Sequence, residues 1–75
     1  MKYIIVDDMG MELPVVFCEI LDHNSVAGER KVLSAGFCVR NDDGTYQVWG
    51  GSTTLKMSSK PADSDIIQHG LEFRI

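Results

Sequence analysis

Residues 30–54, RKVLSAGFCVRNDDGTYQVWGGSTT, decide the fold of this 75-residue chain. The tetrapeptide NDDG at 41–44 divides the segment, because Asn is favoured at the first position of a turn. Gly44 can adopt the left-handed conformation that closes a type I turn with a bulge. Such a turn pairs its flanks as antiparallel strands, with Arg40 opposite Tyr46. We therefore expect a β-hairpin centred on residues 41–44.

The register set by this turn predicts how the two strands face each other. The facing pairs beyond the turn are Phe37 with Trp49, Gly36 with Gly50, and Ser34 with Ser52. Side chains alternate between the two faces of a sheet, and the face expected to form the core carries Leu33, Ala35, Phe37, Val39 and Trp49. The opposite face is apolar near the turn, whereas its far end carries small and hydroxylated residues. We call its small residues the glycine saddle: Ser34, Gly36, Gly50, Gly51 and Ser52.

The rest of the chain predicts a second hairpin and further strands. Residues 2–7 and 13–19 are apolar runs joined by a short loop that contains glycine, which is typical of a hairpin. Pro14 cannot donate a hydrogen bond to a ladder, so its strand is expected at an edge or a bulge. Residues 52–56 are expected to continue the central hairpin, and residues 71–75 alternate as a closing strand.

Two short helical segments are also expected. Residues 25–27 predict one helical turn closed by Gly28. Ser59 and Pro61 predict the start of a helix over residues 61–69. The predicted fold is therefore α+β: one domain over residues 1–75, with a small, mostly antiparallel sheet of four to six strands, two hairpins and one short C-terminal helix.

Composition limits the classes of partner. The net charge is −4, which argues against binding a nucleic acid polymer, whose phosphates require a basic surface. Residues 30–62 nevertheless hold five basic residues against two acidic ones, a local charge of +3 that suits a small anion. A chain of this size is marginally stable alone, so we expect a homo-oligomer.

Location follows from the apolar segments and the cysteines. The apolar stretch at residues 3–6 ends at Asp7, too short for a signal sequence or a membrane span. Cys18 and Cys38 lie twenty positions apart in no Cys-x-x-Cys arrangement, which fits two small residues in a reducing compartment. We expect a cytoplasmic protein that does not contact a membrane.

His23 is a candidate for catalysis or ligand binding. It stands beside Asp22, Asn24 and Ser25, which together supply a base, a carboxylate and a hydroxyl. Catalytic partners converge from separate elements, so neighbours in sequence rarely form a triad. Ligand contact, capping of a helix and a surface position are the other roles for His23. The two histidines and two cysteines do not have metal-ligand spacing, and we expect no metal and no cofactor.

The glycine saddle is the more specific signal. Its backbone N–H groups and hydroxyls can bind an anionic or nucleobase ligand. Arg30, Lys31 or Lys56 would supply charge, and Trp49 or Tyr46 a stacking surface. The alternative is that a ring of Tyr3 or Phe17 covers the glycines. The segment is not a P-loop, because the Gly-Lys-Ser/Thr ending is absent. The candidate ligand-binding residues are His23, Arg30, Ser34, Trp49, Gly51, Ser52 and Thr53.

Four parts of the sequence resemble a pattern found in small uncharacterised proteins of bacteriophages and prophages. They are His23, SAGF at 34–37, WGGSTTL at 49–55 and SKPAD at 59–63. The resemblance covers about two thirds of the chain and implies an accessory protein in the cytoplasm of the host cell. Such proteins commonly bind and block a host factor or sequester a signalling molecule.

The sequence is therefore compatible with three functions. The preferred one is a non-enzymatic binding protein whose partner is a host protein or a small anionic, nucleotide-like ligand. The second is a structural protein that self-assembles without a ligand. The third is a small hydrolase that uses His23 and a hydroxyl, which is disfavoured because no nucleophile, base and orienting group can be placed together.

Overall fold

The computed structural model describes residues 1–70 and confirms the α+β class. Four strands form one antiparallel sheet in the order β2-β1-β3-β4, and two short strands form a separate ribbon, β5-β6. The elements are β1 (Lys2–Asp8), β2 (Met11–Phe17), α1 (His23–Ala27), β3 (Val32–Arg40), β4 (Tyr46–Trp49), β5 (Gly51–Ser52), β6 (Met57–Ser58) and α2 (Asp63–Gly70).

The central hairpin forms with the expected turn and register. Gly44 has a φ of 89°, and the Asn41 N–H donates to the Thr45 carbonyl oxygen at 2.7 Å. Arg40 faces Tyr46, and the register continues to the end of β4. The local chemistry of residues 41–44 is therefore sufficient to fix this part of the sheet.

Beyond Trp49 the prediction is wrong. Gly50 has a φ of 70°, a left-handed conformation that turns the chain out of the sheet. Gly51 then pairs with Ser58 in the β5-β6 ribbon, and residues 53–56 form its turn. Gly36 consequently does not face Gly50, Ser34 does not face Ser52, and residues 52–56 do not continue the central hairpin.

The first hairpin is confirmed, with β1 paired to β2 through a two-residue turn at Met9 and Gly10. Both turn residues have positive φ, 55° and 86°, as a type I′ turn requires. Pro14 lies in β2, an edge strand of the sheet, as the missing N–H predicts. Because β1 also pairs with β3, the strand nearest the start of the chain occupies the middle of the sheet.

A bulge changes which side chains share a face. The pairing of β1 with β3 shifts between Ile5 and Val6, so that Val32 and Ala35 pack in the same cluster. The sheet is buried on both faces. One cluster comprises Ile4, Val6, Val15, Phe17, Ala27, Val32 and Ala35. The other comprises Tyr3, Ile5, Val16, Cys38, Tyr46 and Ile67.

The face expected to form the core is only partly covered. Ala35 is fully buried, whereas Val39 is 42% and Trp49 is 50% exposed. Leu33 packs instead against the cluster on the opposite face. The short α1 contacts β1, while α2 contacts β2 and β4. Since α1 is only five residues long, it leaves the β4 side of its face open.

Both helices form where the sequence predicts them, but their first residues differ from the predicted ones. α1 begins two residues before the expected turn, after the N-cap residue Asp22, and ends at Gly28 with a φ of 60°. α2 begins at Asp63 rather than Pro61. The closing strand expected over residues 71–75 lies outside the described residues.

Candidate functional site

Ser34 is withdrawn from the surface. Its hydroxyl donates to Asp63 Oδ1 at 2.9 Å, and both residues are 1% exposed. Asp63 Oδ2 also accepts from the Tyr3 hydroxyl at 2.5 Å and from the Lys60 backbone N–H at 2.9 Å. Ser34 thus serves a buried network that joins β3, β1 and the start of α2. It does not line the cleft described below.

Gly36 is covered rather than open. A Cβ added to Gly36 would lie 2.6 Å from the Trp49 carbonyl oxygen and 3.3 Å from Tyr3 Cε1. Tyr3 is one of the two rings expected to cover the glycines, and it does so here. The glycine saddle therefore does not exist as one continuous surface, because its β3 half is buried and its other half belongs to the β5-β6 ribbon.

Residues from the first half of the chain and from the β5-β6 ribbon instead form a polar cleft. Its volume is about 160 Å³, and it lies between the start of α1, the first residue of β1 and the β5-β6 ribbon. We call it the ribbon cleft. Its lining residues are Lys2, Asp22, His23, Phe37, Gly51, Ser52, Thr53 and Thr54. Four of the seven predicted ligand-binding residues, His23, Gly51, Ser52 and Thr53, are brought together there.

His23 is held rigidly at the base of the ribbon cleft. The residue is only 5% exposed, and its ring meets those of Phe17 and Phe37 edge to face, at centroid distances of 5.5 and 5.8 Å. Nε2 lies 2.8 Å from the Gly36 carbonyl oxygen. A carbonyl oxygen can only accept, so Nε2 carries the proton in the neutral ring.

The other ring nitrogen of His23 is available to a ligand. Nδ1 makes no hydrogen bond with residues 1–70. Within the same residues, no fully buried side-chain nitrogen or oxygen lacks a partner, so Nδ1 is open to the ribbon cleft that its residue lines. The neutral ring therefore presents a lone pair there.

The ribbon supplies hydroxyl groups. Ser52 Oγ accepts from the Leu55 N–H at 3.3 Å and lies 3.2 Å from Thr54 Oγ1. Ser52 is buried, while Thr53 and Thr54 are exposed at the mouth. A Cβ at Gly51 would collide with the Met57 carbonyl oxygen, so only glycine allows β5 and β6 to pair this closely.

Lys2 is the cation of the ribbon cleft, and the sequence interpretation missed it. Its Nζ donates to the Leu21 carbonyl oxygen at 2.9 Å, which leaves further N–H groups. Lys2 faces Phe37 across β1 and β3. No local signal identifies Lys2, because its place depends on the pairing of β1 with β3. Asp22 and Thr54 also line the ribbon cleft and adjoin predicted site residues, but they were not assigned to the site, and Phe37 was assigned to the core face.

The last two predicted residues lie outside the lining. Trp49 stacks on Phe37 with a centroid distance of 6.1 Å and an interplanar angle of 21°, so it borders the ribbon cleft through that ring. The Arg30 guanidinium donates to the Val26 and Ala27 carbonyl oxygens. Arg30 is therefore engaged at the far end of α1 from His23.

A second, wider hollow adjoins the ribbon cleft. It measures about 490 Å³ and shares Gly51, Ser52 and Thr53 with the ribbon cleft. Lys56, Met57 and Ser58 complete its lining. Of these two hollows, both lined by residues within 1–70, the ribbon cleft is the one that contains the buried His23.

Comparisons with known proteins add no family to this geometry. No family model matches the chain, and no curated protein or solved structure matches it. In the described part of the chain, no three His, Cys, Asp or Glu residues are grouped as metal ligands. None of the helices in residues 1–70 has the length and apolar character needed to span a membrane.

Proposed function

We propose that this chain is a non-enzymatic binding protein that holds the anionic group of a small ligand in the ribbon cleft. The observation that carries the proposal is His23, a nearly buried histidine with one nitrogen open to a polar cleft and unpaired within residues 1–70. Buried polar groups are normally hydrogen-bonded, so such a nitrogen favours a ligand contact. Lys2 beside it supplies the positive charge.

The size of the ribbon cleft limits what enters it. Its volume of about 160 Å³ is below the roughly 300–1,000 Å³ of pockets that enclose drug-sized ligands. The ribbon cleft therefore takes an anionic group, and the remainder of a nucleotide-like ligand lies outside it. The half-exposed Trp49 ring offers such a remainder a stacking surface, worth about 1–3 kcal/mol for a base.

The biological setting extends this proposal. A protein that binds a small anion without converting it can act by sequestration, which is one of the two roles that the phage resemblance implies. Cytoplasmic location, phage or prophage origin and homo-oligomer formation stay predictions. They do not alter the chemistry of the ribbon cleft.

The test blocks the ribbon cleft without disturbing the core. Thr53 is exposed at the mouth, so Thr53→Tyr places a ring over the opening and preserves the fold. Native mass spectrometry with a panel of nucleotides and inorganic anions should show a bound mass with the wild type and none with Thr53→Tyr. Gln68→Tyr, an exposed position on α2, is the matched control and should bind normally. Equal binding by all three proteins would refute this site.

A second candidate, blocking of a host protein by direct contact, is favoured by the open half of the α1 face. Val39 and Trp49 form an exposed apolar strip there, beside Phe37. The outer edge of β4 is less suited to pairing, because Ser64 Oγ donates to the Tyr46 carbonyl oxygen at 2.5 Å. A partner would therefore bind the face rather than add a strand. Trp49→Ala removes the ring without changing the charge, so it should abolish such a complex and leave inorganic-anion binding intact.

A further inference from the structure

The acceptor groups of the ribbon cleft restrict the chemistry of the anion. His23 is the first of them, because its Nε2–H is committed to the Gly36 carbonyl oxygen. The rings of Phe17 and Phe37 pack against the imidazole and resist its rotation. In the neutral ring, Nδ1 can therefore only accept a hydrogen bond from whatever occupies the cleft.

Asp22 is the second acceptor. It lines the ribbon cleft, and its side chain makes no capping hydrogen bond to α1. An ionised carboxylate accepts hydrogen bonds and repels a second anion unless a proton lies between them. Asp22, which directly precedes His23, therefore also requires a ligand that donates a hydrogen bond.

The hydrogen-bond donors of the ribbon cleft favour a ligand that is also negatively charged. One N–H of the Lys2 ammonium group donates to the Leu21 carbonyl oxygen, and its other N–H groups remain for a ligand. The Thr53 and Thr54 hydroxyls can each donate as well as accept. A suitable ligand is therefore an anion that also donates a hydrogen bond.

We propose that the ribbon cleft selects an oxyanion that carries its own proton, namely inorganic phosphate or a phosphate monoester in its monoanionic form, and rejects sulfate. Phosphate keeps at least one O–H at neutral pH, and this O–H can donate to His23 Nδ1 or to Asp22. Sulfate carries no proton, so it would donate to neither acceptor, whereas the phosphate O–H satisfies one of them. Unpaired polar groups in a confined site are the main source of discrimination between analogues of equal size.

This inference rests on the proposed function, and one titration separates their failures. Isothermal titration calorimetry with sodium phosphate and sodium sulfate, at matched ionic strength and about pH 7, should show phosphate binding at least about tenfold more tightly. Equal or tighter sulfate binding would overturn the inference and leave the anion site standing. Absence of binding by phosphate, sulfate and every nucleotide of the panel would overturn both.

A matched pair of variants locates the selectivity. Asp22→Asn replaces an acceptor-only group by one that also donates. The affinity for sulfate should therefore rise, and the ratio of phosphate affinity to sulfate affinity should fall by about threefold or more. Asp42→Asn makes the same charge change at an exposed turn position outside the ribbon cleft, and the ratio should not change. Equal changes in both variants would show a long-range charge effect and overturn the assignment to Asp22.

Nitrogen-15 NMR of the His23 ring gives an independent readout. In the neutral ring of the free protein, the proton should lie on Nε2, which donates to the Gly36 carbonyl oxygen. Phosphate should shift the Nδ1 resonance toward that of a hydrogen-bonded acceptor, while sulfate at the same concentration should not. A neutral ring with its proton on Nδ1, or no response to saturating phosphate, would contradict the proposal.

A third probe, adenosine 5′-monophosphate, distinguishes free phosphate from a nucleotide monoester as the ligand. Its second pKa near about 6 keeps the monoanion accessible at neutral pH. Tighter binding than inorganic phosphate, lost in Trp49→Ala, identifies a nucleotide monoester whose base stacks on Trp49. Weaker binding identifies free phosphate as the ligand. Dimethyl phosphate, an anion without a proton, should not compete, and competition equal to that of phosphate would overturn the proposal.

Discussion

At the scale of single residues, Asp63 organises the core beneath α2. Its carboxylate accepts hydrogen bonds from Tyr3, Ser34 and the Lys60 backbone. Three donors from separate segments therefore meet one buried acceptor. Nothing in the local sequence indicates this role, because the two side-chain donors, Tyr3 and Ser34, lie 60 and 29 positions away along the chain.

Asp63→Asn should lower the free energy of unfolding by about 1–3 kcal/mol, because an amide N–H₂ then faces a donor without a partner. Urea denaturation measures the change. Asp65→Asn on the exposed side of α2 is the control and should stay within about 0.5 kcal/mol of the wild type. Equal stability of Asp63→Asn and the wild type would show that the network does not support the fold.

Two buried acids make the fold sensitive to alkali. Burial raises the pKa of the Cys38 thiol above its ordinary value of 9.0. Burial, and then the hydrogen bond with Asp63, raise the pKa of the Tyr3 hydroxyl. The folded protein therefore keeps protons that the unfolded chain releases, so this stabilisation is complete below the ordinary pKa values and is lost as the pH rises past them.

We expect the free energy of unfolding to fall from about pH 9 upward, measured by urea denaturation at stepped pH. Cys38→Ala should reduce the decline at its onset, since the thiol titrates before the phenol in the unfolded chain. Stability that is constant or rising over this range would contradict the raised pKa values.

At the scale of elements, the turns show what the sequence can predict. The NDDG turn was predicted correctly because Gly44 and its neighbours decide the conformation locally. Gly50 was misread because glycine permits both an extended strand and a left-handed turn. Its choice depends on the β5-β6 ribbon, which packs against β3. The bulge at Ile5 and Val6 gave no sequence signal.

The β1-β2 turn carries a local cost that a substitution can remove. Met9 has a φ of 55° and a side chain that is 99% exposed. Asn tolerates this conformation better and is preferred in type I′ turns. Met9→Asn should raise the free energy of unfolding by about 0.5–1 kcal/mol, measured by thermal or urea denaturation. A loss of stability would mean that Met9 makes contacts beyond those within residues 1–70.

At the scale of the whole molecule, the candidate site depends on strand order. The sequence identified His23 and the ribbon residues Gly51, Ser52 and Thr53 from their types alone. Lys2 could not be identified, because only the central position of β1 brings the start of the chain to the ribbon. Ser34 was assigned to the site from a register that ends at Trp49. Local chemistry thus predicts candidates, and topology decides which of them meet.

The central prediction is that phosphate binds in the ribbon cleft. Titration of nitrogen-15-labelled protein with sodium phosphate, followed by backbone amide NMR, measures this directly. The account predicts saturable shifts confined to Lys2, residues 22–23, Phe37 and residues 51–54. Shifts centred on Arg30 and Lys31, or no saturable shift at any residue, would contradict it.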